Sequence, residues 1–242
     1  MTGIYIAAAI ASDIAVATCG VIALRATCAA HRRALLLACL VMLPMQPLAY
    51  YAVRVPLLAY LTPLLGGGIL LVSVMMLAAP LTEEPAKWLV LALAPVRRAI
   101  TEGSAMGMAI ATGLGFGLGE IWFLAEQVAR VPAYQALPYT QFGGFMIERS
   151  QVCLLHGLFL VPMFFALSRG RYVAAGALAG IVLHLLTNLP ILAVQADLFG
   201  LGRERWVSLA SLGLIVLIVI GLVAVHRLSG GKLFARRAPA EP

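Results

Sequence analysis

The chain has 242 residues, of which 62% are hydrophobic and only 11% charged, against about 25% charged in an ordinary soluble domain. With a mean hydropathy of +1.00, it carries more apolar surface than a water-soluble fold of this length could bury. The net charge of +7 is arginine scattered in short loops, which excludes a nucleic-acid interface and fits the loop bias of membrane proteins.

The charges fall between apolar runs of about 20 residues, the length that crosses a bilayer core. The expected fold is all-α, a polytopic transmembrane bundle with about eight apolar segments. Hydropathy places them at 4–24, 34–53, 57–79, 84–96, 104–127, 146–168, 173–195 and 206–226. Basic loops mark the breaks: Arg25 with Arg32 and Arg33, then Arg54, Arg97 with Arg98, Arg169 with Arg171, and Arg203 with Arg205. Gly66, Gly67 and Gly68 bend or interrupt the third run.

The fourth run is too short to cross alone and reads as a short or re-entrant segment. It begins at Pro80-Leu-Thr-Glu-Glu-Pro85, where prolines and acids suggest a helix start inside the protein; Pro85 is tolerated in a first turn, where its missing N–H would be unpaired anyway. Strict alternation of eight spans puts Arg32–Arg33 and Arg97–Arg98 on opposite sides, so the positive-inside rule conflicts with itself. The whole of 1–227 reads as one membrane domain with a motif-bearing core at 80–195, and 228–242 as a basic disordered tail. No cleavable signal peptide is expected. Cys19, Cys39 and Cys153 lie in apolar runs and read as small core residues.

Ionisable groups at membrane depth are costly and mark function by default. Glu83 and Glu84 are adjacent, and Lys87, one of two lysines in the chain, lies four residues after Glu83 on the same helix face. The bland reading is a solvated helix start with a capping pair. Glu120 ends the Gly-rich stretch Gly113-Leu-Gly-Phe116-Gly-Leu-Gly119-Glu120. Its glycines recur every four residues, and such faces let helices approach closely; the bland reading here is an interhelical hydrogen bond. His156 and His184 sit near the middle of their runs, and Asn188, the single asparagine, shares a face with His184. Asp13 has no obvious partner and reads as structural or cavity-lining.

Glu83, Glu84, Lys87, Glu120, His156, His184 and Asn188 come from four apolar segments. If they converge, they supply what hydrolysis needs: a carboxylate to take a proton from water and an imidazole or amide for the oxyanion. Nucleophile-elbow and His-Glu-x-x-His motifs are absent. Zinc held by His156, His184 and Glu84 is the alternative; a metal-free water is preferred, because Lys87 beside the acids opposes a cation.

Glu83-Glu84-Pro85-Ala86-Lys87 resembles the EExxK motif of the PrsW family of intramembrane proteases, and Phe116-Gly-Leu-Gly-Glu120 resembles its FxxxE motif. His156 is similar to that family's mid-helix histidine. His184-Leu-Leu-Thr-Asn188 resembles the HxxxN/D motif of the wider superfamily that includes the CAAX prenyl endopeptidases. Ile121 stands where PrsW proteins usually carry Asn, and Glu148-Arg149 with His156 resembles the related YhfC family.

The resemblance implies a helical peptidase of a prokaryotic cytoplasmic membrane. Its partners would be the lipid bilayer and a membrane-associated peptide or protein substrate. It implies Glu83 as general base tuned by Glu84 and Lys87, Glu120 as a second acid, Phe116 as a supporting residue, and His156, His184 and Asn188 at the carbonyl. A non-catalytic scaffold of the same superfamily is the other reading.

Overall fold

The computed structural model describes residues 2–195 and scattered helical positions between 209 and 227. About half of the expected last span, 206–226, lies outside the described residues, and the basic tail wholly so. Among the described residues there is no strand. The helices are α1 (Gly3–Arg25), α2 (Arg32–Met42), α3 (Met45–Ala49), α4 (Val55–Leu65), α5 (Ile69–Trp88), α6 (Ala94–Ala99), α7 (Ala105–Ala129), α8 (Pro132–Gln135), α9 (Gly143–Ser168) and α10 (Val173–Gln195). Among the described residues, six stretches are long and apolar enough to cross a membrane: Gly3–Arg25, Ala29–Leu65, Ile69–Ala92, Ala105–Ala129, Tyr139–Ser168 and Val173–Ala193. The fold is the expected all-α transmembrane bundle of an integral membrane protein.

The segmentation differs from the expected one in the first half. No loop forms at Arg54: the chain passes from α3 through a π-helical turn, Tyr50–Arg54, directly into α4. Arg54 is tolerated inside a helical stretch because its charge is met by Glu83 rather than by water. Nor does a helix start at Pro80–Pro85. Both prolines lie inside α5, where neighbouring helices can satisfy the carbonyls that proline frees. The break falls instead at Gly66–Gly68, with Gly66 at φ 67, a left-handed conformation open to glycine.

This register removes the charge conflict. Counting six stretches, Arg25, Arg32, Arg33, Arg97, Arg98, Arg169 and Arg171 share one end of the bundle, and Arg130 lies at the other. Contacts agree with that count. At the arginine-rich end, Arg169 donates to Glu102 at 3.3 Å, and Thr27, just past α1, packs on Gly107 near the start of α7. At the opposite end, Tyr5 donates to Glu126 at 2.6 Å, and Gly3 abuts the backbone of Leu137.

The core is built around α7, whose residues are buried without interruption from Ala105 to Gly117. Its two glycine stripes face different neighbours. A Cβ on Gly113 would lie 2.0 Å from the Gly157 nitrogen and one on Gly117 2.6 Å from Cys153 Sγ, both on α9. A Cβ on Gly115 would lie 2.0 Å from the Cys39 carbonyl oxygen of α2, and one on Gly119 1.9 Å from that of Leu43. Small faces on two sides let α7 touch both helices backbone to backbone. Glu120 follows the Gly113–Gly117 stripe and so emerges beside α9.

Candidate functional site

Helix α5 supplies Glu83, Glu84 and Lys87; the π turn supplies Arg54; α7 supplies Phe116 and Glu120; α9 supplies Arg149 and His156; α10 supplies His184. Four of these elements meet in one buried polar chain. Glu83, Glu84, Lys87, His156 and His184 are 3%, 1%, 0%, 2% and 6% exposed. Charges that deep persist only when paired and hydrogen-bonded.

The pairing begins at Lys87. Its ammonium donates to Glu84 Oε1 at 2.5 Å and to His156 Nδ1 at 2.9 Å, and lies 4.9 Å from the ring centre of Phe116 and 5.4 Å from that of Phe159. An ammonium has donors only, so His156 Nδ1 must accept and its proton sits on Nε2. That N–H donates to Glu120 Oε2 at 2.7 Å. Glu120 Oε1 in turn accepts from Arg149 at 3.0 Å, and Arg149 also pairs with Glu148. On the other side, His184 Nδ1 lies 2.7 Å from Glu84 Oε1. As the donor to that carboxylate, His184 carries its lone pair on Nε2, which lies 3.8 Å from Glu83 Oε2. The ring of Phe159 stacks on His184, with centroids 4.8 Å apart and planes 15° apart.

The expected Glu83–Lys87 pair does not form. Successive helical residues point about 100° apart, so the two adjacent acids meet different neighbours. Glu84 faces Lys87, three residues on, and Glu83 pairs with Arg54. Asn188 also stands apart from the chain: its amide donates to the Met76 carbonyl at 3.4 Å. Asp13 is exposed on α1.

Two cations of the site, Arg149 and Arg54, are not among the site residues expected from the sequence, although Arg149 belongs to the YhfC-like stretch. Arg149 precedes His156 by two helical turns and shares its face, a signal that periodicity carries. Arg54 reads as a loop marker between two apolar runs, and only its tertiary partner reveals it.

A zinc site fits poorly. Glu83, His156 and His184 offer ligand atoms that lie within 4.8 Å of one another, so Glu83 takes the place expected of Glu84, which is engaged by Lys87 and His184. Yet both ring nitrogens of His156 are occupied, one by the Lys87 ammonium and one by its own bond to Glu120. An imidazole needs a free lone pair to bind a metal, and Lys87 holds the one that His156 has. No family model, curated protein or solved structure matches the chain.

Proposed function

We propose that the protein is a membrane-embedded, glutamate-dependent peptidase, similar to the PrsW-like and CAAX-protease families, acting on membrane-associated peptides or proteins. The observation that supports this reading is the pair His184–Glu83, an imidazole with its Nδ1 on Glu84 and its Nε2 3.8 Å from a carboxylate oxygen. That gap is too long for a direct hydrogen bond but suits one water bound to both groups, about 2.8 Å from each. Glu83 takes one proton from this water, while the other stays on the oxygen in a hydrogen bond to His184 Nε2, which orients it. The oxygen adds to the peptide carbonyl carbon, the C–N bond breaks, and the proton on Glu83 passes to the leaving amine.

Glu84 acts as the positioning residue of His184, fixing its tautomer in the manner of the acid of a catalytic triad. His156 and Glu120 hold Lys87 in place, and Lys87 holds Glu84. Asn188 serves the geometry of α5 rather than the oxyanion. With seven arginines at one end, the positive-inside rule puts that end in the cytoplasm of a prokaryote.

A second reading, a non-catalytic scaffold, draws on the same network: Lys87, Arg54 and Arg149 are each paired with a carboxylate, an arrangement that could simply lock helices together. Wild type, Glu83→Gln and His184→Ala are compared in cells, with fragments of membrane proteins followed by mass spectrometry. Fragments present only with the wild type support the peptidase; identical profiles for all three favour the scaffold.

A further inference from the structure

Arg54 differs from the other two cations of the site. Lys87 has two partners, Glu84 and His156, and Arg149 has two, Glu120 and Glu148. Arg54 has one hydrogen-bonding partner, Glu83 Oε1, reached through Nη2 alone. Its Nε is buried and has no partner among the described residues. Guanidinium groups favour paired bonds to a carboxylate along one edge, so a single bond leaves half of that capacity unused.

The side chain is also placed to exchange partners. The Arg54 side chain is 13% exposed where that of Glu83 is 4% exposed, so it forms the more open side of the pair. It belongs to the π-helical turn Tyr50–Arg54, an irregularity that occurs mostly at functional positions. The Tyr50 ring, 5.7 Å from the guanidinium carbon, steadies it from below. While Arg54 holds Oε1, Glu83 is committed to an ion pair. A second anion on Arg54 would free that oxygen for water.

The geometry points to Arg54 as the receptor for a substrate carboxylate, which takes the guanidinium from Glu83 and thereby releases the general base; this rests on the peptidase reading above. The carboxylate is either a chain terminus or an Asp or Glu side chain next to the scissile bond. A substrate without one leaves Glu83 latched.

Binding tests this without relying on turnover. The full chain in detergent is titrated with an N-acetylated Ala/Leu peptide ending in a carboxylate and with its C-terminal amide. A second pair ends in amides and carries one internal Glu or one internal Gln. One acid-bearing peptide is expected to bind wild type about tenfold more tightly than its neutral twin, the scale of one charge-assisted hydrogen bond. The preference widens in Glu83→Gln, where Arg54 has lost its charged competitor, disappears in Arg54→Gln, and returns in part in Arg54→Lys. The pair that shows the difference identifies the source as terminal or side-chain.

Equal binding within both pairs in wild type and Glu83→Gln overturns the proposal, as does a preference that survives Arg54→Gln. Should Arg54→Gln not fold, the widening in Glu83→Gln decides alone, and its absence counts against the receptor. Failure of the peptidase reading is seen separately. Cellular fragment profiles would then match between wild type and Glu83→Gln while the binding preference still followed Arg54.

Discussion

The side-chain amide of Asn188 donates to the main-chain carbonyl of Met76, the carbonyl that Pro80, four residues on within α5, leaves without its helical N–H partner. The asparagine thus repairs a proline defect in the helix that carries Glu83 and Glu84. Asn188→Ala should lower stability by about 0.5–1.5 kcal/mol, the net worth of one such bond. Pro80→Ala in the same chain should remove most of that loss, because an alanine N–H can satisfy Met76 directly. Thermal unfolding in detergent of the two single variants and the double variant measures the coupling. A purely additive result would show that the amide serves something other than Met76.

This bond also marks a limit of reading the sequence. The spacing of His184 and Asn188 correctly places both on one face of α10, but a shared face does not ensure a shared partner. His184 turns to α5 at Glu84, and Asn188 reaches α5 further along. The glycine periodicity of α7 was legible, and its two stripes face α9 and α2 as helical spacing requires. The apolar runs expected at 104–127, 146–168 and 173–195 also became single helices. The run at 4–24 did the same in α1, but those between 34 and 96 did not follow, because hydropathy treats every charge as a contact with water. Arg54 and the Pro80–Pro85 stretch meet their partners inside the bundle, so helices continue through both places where a break was expected. The partners of Lys87 outside α5 lie on two other helices, α7 and α9, and could not be read from spacing along one.

Lys87 is fully buried, with Glu84 as its only carboxylate partner among the described residues. Lys87→Met leaves that acid without its cation, and losing one side of a buried pair costs about 3–5 kcal/mol. Glu84→Gln leaves the ammonium without its anion, at a similar cost. The double variant Lys87→Met with Glu84→Gln removes both charges and should be more stable than either single variant. Unfolding temperatures of the three proteins in one detergent provide the test. A double variant less stable than both singles would mean that the pair itself, rather than its charge balance, holds α5 against α9 and α10.

The glycine seams predict a sharp contrast between positions. Gly113→Ala puts a methyl 2.0 Å from the Gly157 nitrogen, a contact that only a backbone shift can relieve. Overpacking of this kind costs about 1–3 kcal/mol, and it should also disturb the Glu120–His156 bond that spans the same two helices. Gly20→Ala on α1 meets nothing within 4 Å. It should be neutral or stabilise by up to about 1 kcal/mol through better helix propensity. Equal unfolding temperatures for the two variants would contradict the direct contact of α7 with α9.

Lys87 occupies the Nδ1 lone pair of His156, while Glu83 and His184 already offer ligand atoms within 4.8 Å of that histidine. Removing the ammonium frees the nitrogen and withdraws a positive charge that repels a cation. Lys87→Met should therefore take up zinc about tenfold more tightly than the wild type, a change on the scale of altering a ligand's hydrogen-bond partner. The added ion should disappear in Lys87→Met with His156→Ala, which keeps the missing lysine but lacks the ring. Metal analysis after equilibration with zinc and desalting gives both numbers. One zinc per wild-type chain, lost on His156→Ala, would instead show that Lys87 yields its place to the ion.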